Sequence, residues 1–186
     1  MKEITDTGYW NGDTAHVHHV HSPELSKWIA SFLNKEDLIY DFGCGLGHYL
    51  RDLQRAGFQR LKGFEGDLPK KRVFDNIVQQ DLTLPFELKE KGSVISLEVG
   101  EHIPKEYMDI YLDNITNFCE KTLIISWAVR GQAGFGHVNC LNNEEVIPLI
   151  EQRGFCFRKD LSEEARKVVG DNTPWFKNTI LIFERC

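Results

Sequence analysis

Apolar residues fall along this chain in two rhythms, and the order of those rhythms outlines a layered fold. Leu25, Trp28, Ile29, Phe32 and Leu33 follow the i, i+3, i+4, i+7, i+8 spacing that turns one stripe of a helix toward a core. Ser22-Pro23-Glu24 just ahead supplies a cap, a first residue with φ already fixed, and an acid at the positive end of the helix dipole. Leu38–Phe42 is a short apolar run broken by Asp41, suited to a buried parallel strand. His48–Leu53 resumes helical spacing and stops at Gly57, a residue able to take the left-handed position beyond a helix end. Six further strands are predicted at Arg60–Glu65, Ile77–Leu82, Ser93–Glu98, Leu123–Trp127, Phe155–Arg158 and Thr179–Phe183. Between them, Tyr107, Ile110, Tyr111, Ile115 and Phe118 mark one helix face. Asn142 with Glu145 reads as a capping box for a helix that ends at Gly154 and is expected to kink at Pro148. A short helix over Ser162–Val169 and a turn-rich Gly170–Phe176 leave no crossover helix of the usual size between the last two strands. Those two are therefore expected to pair antiparallel in an otherwise parallel α/β sheet.

Composition narrows the class. The 186 residues, 41% hydrophobic and 27% charged, suit one domain with a sizeable core and no repeat or linker. Residues 22–186 read as the folded core, and residues 1–21, polar and irregular, as an N-terminal flap over the site. A net charge of −6 disfavours a broad phosphate-binding face, so nucleic acid is not expected as a partner. Lys70-Lys71-Arg72 reads as solvated surface. Five cysteines, Cys44, Cys119, Cys140, Cys156 and Cys186, are odd in number and never spaced C-x-x-C. They suit reduced thiols in a cytoplasm better than a disulfide framework or a zinc site. No apolar run reaches bilayer length and no signal-peptide pattern is present, so a cytoplasmic protein without a membrane partner is expected. His16, His18, His19 and His21 crowd six positions, but no Cys, Asp or Glu falls among them and no usual zinc spacing is met. No metal is expected. Oligomeric state is not legible.

The densest chemistry is Asp41-Phe42-Gly43-Cys44-Gly45-Leu46-Gly47 between the first strand and the next helix. Glycine lacks Cβ, so it takes positive φ and lets a ligand approach the main chain, while the helix start presents unpaired N–H groups. A dinucleotide fingerprint G-x-G-x-x-G would need glycine at position 48, which is His48, and no phosphate-loop GKS or GKT exists. The pattern Asp41-x-Gly43-x-Gly45-x-Gly47 instead resembles motif I of the class I S-adenosylmethionine-dependent methyltransferases. Glu98-Val99-Gly100-Glu101-His102-Ile103-Pro104 is similar to the Glu-His-Ile-Pro phrase that follows the fourth strand in small members of that family. Gly100 departs from the usual bulky apolar residue there, so packing over the cofactor is expected to differ.

The resemblance covers the whole chain and carries specific expectations. It implies a Rossmann-like seven-stranded, mostly parallel sheet in the order 3-2-1-4-5-7-6, last strand antiparallel, with helices on both faces. It implies S-adenosylmethionine as cofactor and S-adenosylhomocysteine as product. Asp41, Phe42, Gly43, Cys44 and Gly45 would hold the amino-acid tail, with the ammonium near Asp41. Glu65 and Gly66 would meet the ribose, about twenty residues beyond the glycines, where an acid can accept from both hydroxyls. Asp81 and Leu82 would meet the adenine, and Glu98 and Val99 would line the same groove. Tyr9, Trp10 and Trp127 are aromatic candidates to face the sulfonium.

For a hydroxyl acceptor a base helps, and His102 followed by His137 are the candidates, because histidine titrates near neutrality. His137 lies in the glycine-rich Ala128–Cys140, a loop length that usually carries function. The acceptor is expected to be a small polar molecule. Two rival readings stand beside this one: a non-catalytic binding module or partner subunit on the same fold, and a nicotinamide-type oxidoreductase.

Overall fold

The structure, a computed structural model, describes residues 4–12 and 19–186. Helix α1 (Pro23–Phe32) is capped by Ser22, whose Oγ accepts from the Leu25 N–H at 3.5 Å. It is followed by β1 (Ile39–Phe42), α2 (His48–Arg55), β2 (Leu61–Glu65), β3 (Ile77–Gln79) and β4 (Gly92–Ser96). Then come 3-10 turns at Gly100–His102 and Lys105–Tyr107, α3 (Met108–Asn117), β5 (Cys119–Ser126) and α4 (Asn143–Glu151). The chain closes with β6 (Phe155–Phe157), α5 (Lys159–Val168), α6 (Phe176–Thr179) and β7 (Ile180–Arg185).

The seven strands form one sheet in the order β3-β2-β1-β4-β5-β7-β6, parallel except that β7 runs antiparallel to both β5 and β6. This is the expected Rossmann-like order. Side chains alternate faces along each strand, and two cores result. Ile39, Ile95, Ile124, Ile180 and Ile182 pack with Leu25, Ile29, Leu50, Leu53 and Ala165 from α1, α2 and α5. Tyr40, Phe42, Val94, Leu123, Ile125, Leu181 and Phe183 pack on the other face with Tyr111, Leu112, Ile115, Val146 and Ile150 from α3 and α4. Each large apolar side chain so removed from water contributes about 1.5–3 kcal/mol, which is why the sheet is buried on both sides.

Several boundaries differ from expectation. β3 ends at Gln79, and the Gln80 N–H makes the last ladder bond to β2, donating to the Glu65 carbonyl at 2.8 Å. β4 begins one residue early at Gly92, where a Cβ would lie 2.1 Å from the Leu38 carbonyl oxygen, and it ends before Leu97-Glu98. β5 starts four residues early, at Cys119. Between β6 and β7 the chain holds a ten-residue helix, as long as α1, plus α6 where only a turn was expected. The antiparallel pairing holds nonetheless. The capping box on α4 is present, with the Asn142 N–H donating to Glu145 Oε2 at 3.0 Å, and the helix continues through Pro148.

One expectation is overturned. Cys156 and Cys186 are joined by a disulfide, leaving Cys44, Cys119 and Cys140 as free thiols. The antiparallel pairing of β6 with β7 brings their Cα atoms to 5.4 Å, inside the range a disulfide spans, although 30 residues separate them in sequence. Among the described residues no helix is long and apolar enough to cross a membrane.

Candidate active site

The carboxyl ends of β1, β2, β3 and β4 meet at one edge of the sheet, where open α/β folds bind ligands. Gly43, Gly45 and Gly47 all take positive φ, at 76°, 53° and 81°. Side chains would be strained at these angles, and they would also collide: a Cβ on Gly43 would lie 2.5 Å from Val99, and one on Gly45 2.4 Å from the His19 ring. Asp41, at the end of β1, is buried, and its Oδ2 has no hydrogen-bond partner among the described residues. Burial, and then the charge of Glu65, raise its carboxyl to about 8.

Glu65 ends β2 as expected and is also buried. Its Oε2 accepts from the Gly45 N–H at 2.6 Å and its Oε1 from the Gly66 N–H at 3.0 Å. Desolvation outweighs those two bonds and lifts the carboxyl to about 7. Asp81 accepts from the Thr83 N–H and hydroxyl at 2.9 and 2.7 Å on Oδ1, and from the Thr7 hydroxyl at 3.0 Å on Oδ2. Leu82 is buried beside it.

Two cavities follow this edge. The smaller, about 50 Å³, is lined by Tyr9, Glu65, Gly66, Asp81, Leu82 and Val99 among others. The larger, about 270 Å³, runs past Trp10, Asp41, Gly43, Cys44, Glu98, His102 and His137. Trp10 meets the His102 ring edge-on at 5.5 Å, and Tyr9 lies so close over Gly66 that a Cβ there would be 2.2 Å from its ring. Tyr9 and Trp10 thus form part of the cavity walls. His16 and His18 lie outside the described residues. His21 also lines the larger cavity, held 2.8 Å from Ser26 Oγ and 3.0 Å from Asp52.

Not every candidate reaches the cavities. Phe42 is stacked on Phe64 at 4.9 Å inside the second core, so its side chain faces away and the main chain alone turns at the site. Trp127 is buried too, its Nε1 donating to the Asn139 carbonyl at 2.6 Å. Its ring occupies the space a side chain on Gly100 would need, since a Cβ there would lie 2.3 Å away. The glycine thus changes packing beneath the site rather than over it, and Trp127 is not a sulfonium partner.

The turn after β4 carries the strongest backbone strain. Glu98 has φ +53°, uncommon for a residue with a side chain. Ser126 Oγ accepts its N–H at 2.7 Å, and Gln132 Nε2 donates to its Oε2 at 3.0 Å. Three residues on, Glu101 is wholly buried, and neither carboxylate oxygen has a hydrogen-bond partner among the described residues. Burial first, and then neighbouring Glu98, push its carboxyl well above the ordinary value. The long loop folds back here: the Val138 and Asn139 N–H groups both donate to the Glu101 carbonyl at 2.9 Å. Gly134 lets the His137 ring pack against the loop, where a Cβ would lie 2.1 Å from Nε2. His102 Nδ1 lies 3.1 Å from the Gly136 carbonyl oxygen and His137 Nδ1 3.1 Å from that of Gln132. A carbonyl only accepts, so both rings carry the Nδ1 proton and offer an Nε2 lone pair. Desolvation, then repulsion from His137, lowers His102 to about 4.

Glu101, His102 and His137 bring their ligand atoms within 4.8 Å of one another. Sequence reasoning named the two histidines but not Glu101. Its signal was present in the Glu98-x-x-Glu101-His102 spacing, but the return of His137 from thirty-five residues on is a tertiary event.

This sheet order is that of the class I methyltransferase fold. No protein-family model and no curated protein matches the sequence. Among solved structures, a magnesium protoporphyrin IX methyltransferase from Synechocystis with bound S-adenosylmethionine is similar, at 21% identity and TM-score 0.62. The match covers 87% of this chain and 76% of that one. A TehB-like S-adenosylmethionine-dependent methyltransferase from Corynebacterium glutamicum is 13% identical with TM-score 0.66, covering 93% and 92%. The cyclase SpnF is 14% identical with TM-score 0.61, covering 98% and 88%. A cyclase on the same fold means that the architecture does not choose the reaction.

Proposed function

We propose that this chain binds S-adenosylmethionine at the glycine turn and transfers its methyl group to a small polar acceptor, releasing S-adenosylhomocysteine. The observation that carries this reading is the buried Asp41 carboxylate with an unpartnered Oδ2 on the cavity wall beside Gly43. An ammonium group placed there would relieve that burial. Asp41, Gly43, Cys44 and Gly45 would hold the amino-acid tail, with Phe42 contributing backbone alone. Glu65 holds the turn in shape through the Gly45 and Gly66 N–H groups, and its remaining acceptor capacity would meet ribose hydroxyls. Asp81, Leu82 and Val99 would border the adenine, under Tyr9. When bound, the donor supplies an electrophilic methyl on a positive sulfur, and in-line displacement leaves the electron pair with that sulfur. Holding an acceptor in line can account for about 7–11 kcal/mol of barrier.

The acceptor would sit in the larger cavity, whose lining groups Glu98, Gln132, His102 and His137 suit a polar molecule. His102 and then His137 are the proposed bases among the histidines that line it. A cytoplasmic location fits the three free thiols, and the Cys156–Cys186 pair would there be reduced.

Isothermal calorimetry with S-adenosylhomocysteine tests the reading. One site per chain is expected, with Glu65→Ala weakening it on the order of ten- to a hundredfold, about the worth of one charge-assisted hydrogen bond. Nicotinamide dinucleotide should give no heat. Absence of heat from the adenosyl ligand on folded protein removes the proposal. A ligand-binding protein with no transfer to any hydroxylated acceptor would favour the binding-module alternative.

A further inference from the structure

Glu101 poses a problem that the donor site does not solve. Its carboxyl group is fully buried beside that of Glu98, which opposes its ionisation, and neither oxygen makes a hydrogen bond of normal geometry among the described residues; the nearest ring nitrogen, His137 Nε2, stands 4.0 Å away. Burying a carboxyl group without partners costs several kcal/mol, ionised or not, so a group of this kind is kept where something binds it. What faces it are two imidazoles held in matching fashion. Each has Nδ1 tied to a backbone carbonyl at 3.1 Å, which fixes the tautomer, sets the ring plane and leaves Nε2 as the donor atom. A carbonyl behind Nδ1 is how metal-ligating histidines are usually oriented. The loop that supplies His137 is itself fastened to Glu101 by two main-chain hydrogen bonds, so the three ligands share one rigid support.

We propose that Glu101, His102 and His137 bind one divalent transition-metal ion, with open coordination positions toward the larger cavity for oxygen donors of the acceptor. The ligand atoms lie within 4.8 Å of one another. Metal–ligand bonds of about 2.0–2.1 Å place tetrahedral ligands ~3.4 Å apart, so the three side chains close by roughly an ångström, within reach of small side-chain rotations, when the ion binds. Two imidazoles and a carboxylate select manganese, iron, cobalt or zinc over magnesium and calcium, which prefer oxygen throughout. Three protein ligands leave positions open, and His102 and His137 line the 270 Å³ cavity. An acceptor with neighbouring hydroxyls would fill those positions as a chelate. That last clause rests on the methyl-transfer reading; the metal site does not. The two histidines then serve as ligands, and the acceptor's oxygen, held on the ion, is the atom presented for methylation.

The full-length chain, stripped of metal, is titrated with cobalt(II) and followed by visible absorption and equilibrium dialysis. One ion per chain with ligand-field bands is expected. Glu101→Gln and His137→Asn should each weaken binding about tenfold or more, while the double variant His16→Asn/His18→Asn should bind as the parent does. Melting curves identify variants that fold, and His137→Asn decides the question should Glu101→Gln not fold. Unchanged binding in His137→Asn, or loss only in the His16/His18 variant, overturns the proposal and assigns the ion to the N-terminal histidines. S-adenosylhomocysteine calorimetry on the metal-free chain separates the two readings. Donor binding without a stoichiometric ion sinks the metal site alone, and a stoichiometric ion without donor binding sinks the methyl-transfer reading alone.

Discussion

Asp41 is the residue whose environment and chemistry disagree most. Its carboxyl stands at about 8 in the folded protein, against an ordinary value near 4, because burial and then Glu65 oppose ionisation. A raised acid means that the folded state binds the extra proton, so the penalty is absent at low pH and grows as pH rises from about 4 to about 8. Asp41→Asn should therefore melt about 3–10 °C above the parent at pH 8 and within error of it near pH 4, while losing S-adenosylhomocysteine affinity. Equal melting shifts at both pH values would contradict the assignment of burial as the cause. The identity of Asp41, Glu65 and Asp81 was legible from their places at strand ends. That Asp41 Oδ2 lacks a hydrogen-bond partner among the described residues while Glu65 has two was not, since it depends on which backbone N–H groups the folded turn presents.

Among the elements, the N-terminal segment sets access. Thr7 donates to Asp81 and the Gly12 N–H donates to Asp67 at 2.9 Å, tying the segment across the ends of β2 and β3. The space left under Tyr9 is about 50 Å³, whereas ligand pockets commonly run to ~300–1,000 Å³. On the methyl-transfer reading, the segment is expected to lift before an adenosyl group enters. Removing residues 1–12 should speed association of S-adenosylhomocysteine in stopped-flow fluorescence, about tenfold, and speed its release at least as much. Identical rates in both forms would show that the segment does not gate the site. A flap was predicted from polarity and irregularity alone. Its docking points could not be, because Thr7 and Asp81 are 74 residues apart. The same distance effect hid the pairing of Glu101 with His137 and placed Trp127 under Gly100 instead of in the cavity.

For the whole molecule, the antiparallel β6–β7 edge adds a covalent tie. The Cys156–Cys186 bridge closes a loop of 30 residues, for which chain entropy predicts about 3–4 kcal/mol, less any fraying at the C-terminus. Reductant should lower the melting temperature by roughly 5–10 °C, and Cys156→Ser should melt at that lower temperature and ignore reductant. A parent protein indifferent to reductant would mean the two thiols are not joined in solution. Cysteine counting pointed the other way, because scattered spacing says nothing about which strand edges become neighbours.

The sequence by itself determined the alternation of strands and helices, the two faces of the core, the glycine turn after β1 and the acids at the ends of β2 and β3. All of these are local patterns: side-chain period, caps, and residues whose backbone freedom is intrinsic. Tertiary structure alone decided which of those groups meet. It buried the Asp41 and Glu101 carboxyls, set Tyr9 over Gly66, carried His137 back to His102, and turned Phe42 and Trp127 into core. Those outcomes depend on contacts between distant segments, whose distances and desolvation exist only once the sheet has closed its order.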